Sequence, residues 1–217
     1  MLNGVFVKTY PSSPFDRQEI LRYAGCKNDF AAGTALLEDA LCECEKAFSY
    51  RVCYRVFETE DFFKRFQAQS KALRKNLDGC DYTVAFAATV GLDIDRLIAK
   101  YANVSVTKSW LFQAIGAERI ESLCDAFCAD IKAQAKEKGY YPRPRFSVGY
   151  GDFPLETQKY FFAELDCARK IGLTLTDSFL MSPTKSVTAV VGLSKIEKEE
   201  KTGCAVCEKT DCAMRRK

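Results

Sequence analysis

The stretch Arg143-Pro-Arg-Phe-Ser-Val-Gly-Tyr-Gly-Asp-Phe-Pro154 gathers the side chains best suited to recognising a small ligand. Pro144 restricts Arg143 to extended geometry and fixes its own φ, so Arg145 is presented by a stiffened chain. The Arg145 guanidinium is a planar fork of donors that matches a carboxylate. Gly149 and Gly151 flank Tyr150 and permit positive φ or a close approach of backbone to ligand. Tyr150 offers an aromatic face to an adenine ring or to a cation such as a sulfonium, and Ser147 can donate or accept a hydrogen bond. A ligand with a carboxylate, an aromatic ring and a positive centre would satisfy this set. The alternative is a surface crossover whose arginine is solvated and whose tyrosine packs on the core.

Cysteines are the second concentration of chemistry. Cys204, Cys207 and Cys212 form Cys-x2-Cys-x4-Cys near the C-terminus. Thiolates at this spacing suit zinc or an iron–sulfur centre, with a fourth ligand needed from Cys26 or Cys80 or from a partner. Thiol redox chemistry and no special role are the other readings. Cys124 and Cys128 fall on the apolar side of a helical pattern and read as small core hydrophobes; a continuing cluster-binding pattern fails at Ile131. The 11 cysteines are odd in number, and Met1–Tyr10 lacks the basic and long apolar regions of a leader. This predicts reduced thiols and a cytoplasmic location, not a disulfide framework.

The chain has no histidine. That excludes a Ser-His-Asp triad, a Cys-His dyad, HExxH zinc chemistry and a histidine-ligated haem or corrinoid within this chain, and no catalytic residue is predicted. Net charge is +3, of which Lys195–Lys217 supplies seven basic and five acidic residues. A nearly neutral body argues against nucleic acid as partner. The longest apolar run, Thr83–Leu92, is too short to cross a bilayer, so no membrane partner is expected.

These residues need elements to position them. Val5–Thr9 suits a short strand, and Asp16–Ala24 a helix capped by Asp16 and stopped by Gly25. Asn28–Phe48 and Asp61–Leu77 read as helices. Arg51–Phe57 alternates with the strand period, and Asp81–Val90 is apolar throughout, as in a strand covered on both faces. Leu92–Tyr101 reads as a helix begun by Asp93 and Asp95. Val106–Lys138 is a long helix ended by Gly139, with Ile120, Leu123, Cys124, Phe127, Cys128, Ile131 and Ala135 on one face. Trp110, Phe112, Phe161 and Phe162 are expected in the core. Tyr140–Phe153 reads as a loop, Pro154–Ile171 as a helix stopped by Gly172, and Leu173–Ser178 and Val187–Leu193 as strands. The fold class is α+β: a single mixed domain over residues 1–194 with a twisted, mainly antiparallel sheet and flanking helices. Residues 195–217 form a charged, cysteine-containing tail.

The run Arg145-Phe-Ser-Val-Gly-Tyr-Gly-Asp-Phe-Pro-Leu-Glu-Thr-Gln158 resembles the signature of the activation domain of cobalamin-dependent methionine synthase and its stand-alone relatives. Ile171-Gly-Leu-Thr-Leu-Thr176 and Met181-Ser-Pro-Thr-Lys-Ser-Val187 are similar to later family segments, in order. Glu19-Ile-Leu-Arg-Tyr-Ala-Gly25 and Ala87-Ala-Thr-Val-Gly91 resemble weaker upstream blocks. Val148 stands where proline is common.

The resemblance implies a domain that binds S-adenosylmethionine and presents its methyl group to cobalamin oxidised to the inactive cob(II) state, with an electron from a flavodoxin- or ferredoxin-like donor. It implies that Arg145 holds the ligand's carboxylate end, that Ser147 and Gly149 contribute close backbone, and that Tyr150 contacts the ligand. Corrinoid modules of this enzyme class use a histidine in Asp-x-His-x-x-Gly. Without histidine, this chain would serve cobalamin on a partner chain, a methyltransferase lacking its own activation domain. The alternative is a docking or metal/redox accessory of a corrinoid methyltransferase.

Overall fold

A computed structural model describes residues 4–26 and 34–197. The strands are β1 (Phe6–Tyr10), β2 (Tyr50–Glu58), β3 (Tyr82–Thr89), β4 (Tyr141–Pro142), β5 (Phe146–Ser147), β6 (Thr174–Leu175), β7 (Met181–Ser182) and β8 (Ser186–Ser194). The helices are α1 (Arg17–Tyr23), α2 (Thr34–Cys44), α3 (Thr59–Phe66), α4 (Lys71–Asn76), α5 (Asp93–Tyr101), α6 (Val106–Glu137), α7 (Gln158–Leu165) and α8 (Cys167–Ile171). The main sheet runs β1-β2-β3-β8-β4, with β5 also beside β8, and every ladder is antiparallel. This is the α+β domain expected.

The apolar run of β3 is explained by its central place. Val84, Phe86 and Ala88 face one core, while Ala85 and Ala87 face the other. The first core lies under α6 with α1, α2 and α5. The second lies under the short helices α3, α7 and α8, with Leu73 of α4 inserted. Asp16 caps α1 as expected, accepting from the amides of Gln18 and Glu19. Among the described residues no helix is long and apolar enough to cross a membrane.

Several elements differ from the sequence reading, each for a local reason. Asp61–Leu77 is two helices, not one. Gln67 takes left-handed geometry at φ 46°, and Ser70 starts α4 by accepting from the Leu73 amide. Pro154–Ile171 is likewise broken, into a 3-10 turn (Leu155–Thr157), α7 and α8, with Asp166 left-handed at φ 51°. The segment Tyr140–Phe153 is not all loop, since β4 and β5 pair with β8. The helix expected from Asn28 is described from Thr34, its predicted beginning lying outside the described residues. Neither Asp93 nor Asp95, both expected to cap α5, does so: Asp93 accepts from Arg96 at 2.6 Å, and Asp95 from the Thr184 amide at 2.7 Å and hydroxyl at 2.6 Å. Trp110 is not core but 48% exposed, near Val106 on the first turns of α6.

Candidate functional site

The edge beyond β8 is where the predicted residues fall. Between the pairs Pro142↔Leu193 and Phe146↔Val190, one strand advances four residues and β8 three. One residue is therefore extra, a bulge that switches which face each following side chain takes. The bulge is where Pro144 sits. Before it, Arg143 lies over Gly192 and donates weakly to the Asp78 carbonyl at 3.4 Å, on the α4 side. After it, Arg145 reaches α6, donating to Glu121 at 2.5 Å with Asp125 at 3.8 Å. Burial opposes the guanidinium's charge, but the Cys124 thiol and the Glu121 carboxylate raise its pKa above the ordinary arginine value. Its Nη1 is buried without a hydrogen-bond partner.

Ser147 pairs with Ala189, a residue of the first core, and so shares the α6 face with Arg145. The Val148 amide turns inward to the Thr188 carbonyl at 3.1 Å. By the alternation of an antiparallel ladder, the Ser147 amide is directed to the open side of the sheet. Gly149 (φ 85°) and Gly151 (φ 60°) form the turn that the sequence anticipated. Between them Tyr150 is 69% exposed, and its ring meets Phe146 edge-on at 5.5 Å. Phe146 packs on the second core, so Tyr150 and Arg145 flank the sheet edge from opposite faces.

A hollow of about 400 Å³ opens beside Arg145, lined by Cys128, Lys132, Tyr141, Arg143, Val191 and Glu197 among others. Ser147, Gly149 and Tyr150 do not line it. Burial pushes the Cys128 thiol up to about 11. A second hollow, about 450 Å³ and bordered by Glu58, Glu60, Asp81 and Tyr140, is lined also by Cys80 but by none of Arg145, Ser147, Gly149 and Tyr150.

Three features of the site escaped the sequence reading. Glu121 and Asp125 are one helical turn apart, and their stripe beside the apolar face of α6 was the available signal. The support given by α4 left no local signal. Asn76 donates to the Pro144 carbonyl at 3.2 Å, and Asp152 accepts from Ser70 and from the amides of Lys71 (2.7 Å) and Ala72 (3.2 Å). The bulge is a property of pairing and is invisible before β4 and β5 are known. Cys204, Cys207 and Cys212 lie outside the described residues. Among the described residues no group of three or more Cys, Asp or Glu is arranged to hold a metal ion.

Fold and edge together define an α+β domain with a glycine-rich, arginine-bearing loop at the rim of its sheet. The family model for the activation domain of vitamin B12 dependent methionine synthase matches residues 64–200, and the chain belongs to that family. Among solved structures, the crystal structure of the MetH reactivation domain bound to AdoHcy matches with a TM-score of 0.61 at 16% identity, covering 91% of this chain and 80% of that one. At that identity the likeness is one of fold. No curated protein sequence matches the chain.

Proposed function

We propose that this chain is a stand-alone activation subunit that binds S-adenosylmethionine and supports reductive methylation of cob(II)alamin on a separate cobalamin-dependent methionine synthase, a methyltransferase. The observation that carries the reading is Arg145. Its guanidinium is oriented by Glu121 through Nη2 and keeps Nη1 buried and unpartnered. A buried donor of a charged group left without an acceptor is costly, and a ligand carboxylate would complete it. The outward Ser147 amide and the Tyr150 ring continue the same edge, in the order carboxylate, backbone, aromatic contact. Family membership and the AdoHcy of the fold neighbour support this ligand class.

S-adenosylmethionine supplies an activated methyl group; the protein's part is to bind and orient it. Methyl transfer from a sulfonium to a cobalt nucleophile needs positioning and no side-chain base, which agrees with a chain that contains no histidine. Cobalamin would be carried by a partner methyltransferase without its own activation domain. A flavodoxin- or ferredoxin-like protein would supply the electron, in the cytoplasm.

A second reading, a docking accessory of a corrinoid methyltransferase that has lost the ligand, is favoured by the placement of Arg145 and Tyr150 on opposite faces of the edge. Calorimetric titration with S-adenosylmethionine separates the two. The first reading expects saturable heat with wild type and an affinity about ten- to a hundredfold lower in Arg145→Ala, the loss of a charge-assisted hydrogen bond. Absence of heat in wild type would leave the second.

A further inference from the structure

The turn that carries Tyr150 has little of its own to hold it in place. Gly149 and Gly151 both adopt positive φ, and glycine gives up more conformational freedom on ordering than any other residue. The turn is bonded to itself: the Gly149 amide donates to the Phe153 carbonyl at 2.9 Å, and the Phe153 amide to the Tyr150 carbonyl at 3.1 Å. Those bonds shape the turn, and the buried Phe153 ring anchors its far end in the second core, but they give the glycine-flanked tip no polar attachment to the body.

Asp152 makes that attachment. One carboxylate oxygen accepts from the Ser70 hydroxyl and the Ala72 amide, and the other from the Lys71 amide. The first amides of a helix have no partner within it. Ser70 serves one of them locally, accepting from Leu73 at 2.9 Å; the loop supplies the acceptor for two more across 80 residues of sequence. Gly151 follows with its Cα side packed toward Ala72, where an added Cβ would lie 3.9 Å from the Ala72 methyl. The Ser70 hydroxyl foremost, then the two amides, hold the Asp152 carboxyl below the usual carboxylate range.

We infer that Asp152 is the positioning residue of the ligand loop: by closing the start of α4 it orders the Gly149–Gly151 turn and so presents Tyr150 and the open edge of β5 for binding. The inference rests on the S-adenosylmethionine reading and adds the device that makes the site competent. When only a fraction of molecules holds the turn in register, apparent affinity falls by that fraction.

The experiment pairs amide hydrogen exchange with titration by S-adenosylhomocysteine, on the full chain. Asp152→Ala should leave the turn mostly open, with the Gly149 and Phe153 amides exchanging near the rate of unprotected ones, and should weaken binding about tenfold as the ordered fraction falls to about a tenth. The Val148 amide, bonded to β8, should exchange as in wild type. Asp152→Asn, which keeps an oxygen acceptor without the charge, should fall between the two in both readouts. Unchanged exchange at Gly149 and Phe153 would overturn the inference. So would a freed turn with undiminished affinity, or faster exchange throughout the second core, which would mark a purely structural residue. If wild type binds nothing, the ligand reading fails and this role with it, while the exchange data still show whether Asp152 holds the turn.

Discussion

On the face covered by α6, charge is built into the packing. Arg119 is fully buried there, donating to Glu118 and to the carbonyls of Ser13 and Pro14, with Phe15 against its guanidinium. Lys108 joins Asp39 and Glu43 of α2 to α6, and Asp130 takes both Lys8 and Tyr10 of β1. The opposite face is held by rings. Phe57, Phe62, Phe66, Phe153 and Phe161 form one cluster, with centroids as close as 4.5 Å. Beside them the Cys53 and Cys167 thiols lie 3.9 Å apart. A helix of 32 residues offers a long row of positions at which ionic partners from several elements can meet it. The short helices of the other face, interrupted by left-handed residues, carry a smaller ionic link, Glu164 with Arg55 and Arg65, and rest mainly on aromatic burial. The candidate site joins the two regimes: Arg145 belongs to the charged face and Tyr150 to the aromatic one.

The sharpest way to break this comparison is to remove a ring. Phe161→Ala should cost about 3–5 kcal/mol in urea unfolding, since the cluster closes around it. A loss below about 1 kcal/mol would show that the ring face is not held by packing. On the charged face, Arg119→Met should cost about 3 kcal/mol by leaving Glu118 buried without its partner. The double variant Arg119→Met/Glu118→Leu should recover much of that loss. If it does not, the contacts to Ser13 and Pro14 matter more than the pair. The smallest effect concerns Glu43, whose carboxyl is held at about 2 by Lys108 first, with Tyr101 and Lys100 also bonded to it. A depressed carboxylate pKa stabilises the fold above the ordinary range, and that contribution is lost as pH falls from about 4.5 to about 2. Glu43→Gln should therefore flatten the acid limb of the stability profile by about 1 kcal/mol or less, measured as the urea midpoint against pH.

The fold was legible where periodicity is strong. The apolar run of β3 and the face of α6 are direct consequences of burial, and both stand as read. The breaks at Gln67 and Asp166 were not, because a left-handed residue other than glycine carries no compositional mark. The strands β4 and β5 were hidden as well, since two-residue pairings depend on β8 and not on their own pattern. At the site, the Arg145–Tyr150 loop was visible from its proline, arginine and glycines. Its partners were not: Glu121 is placed by the helix it rides on, and Asp152 by hydrogen bonds to a helix distant in sequence. Trp110 was read inward by its type alone, but it lies with Val106 on the exposed side of the first turns of α6, while Leu111 and Phe112 take the core.

The extra residue at Pro144 has one further consequence. Because side chains on a regular strand alternate, residues two apart share a face, yet Arg143 and Arg145 serve opposite ones. Deleting Pro144 would close the bulge with the pairing on both sides kept: Arg143 would stay opposite Gly192 and Arg145 would come opposite Val191, so each would keep its face. The extra residue therefore sets the spacing between the two guanidinium groups along the chain, not the side of the sheet each one serves.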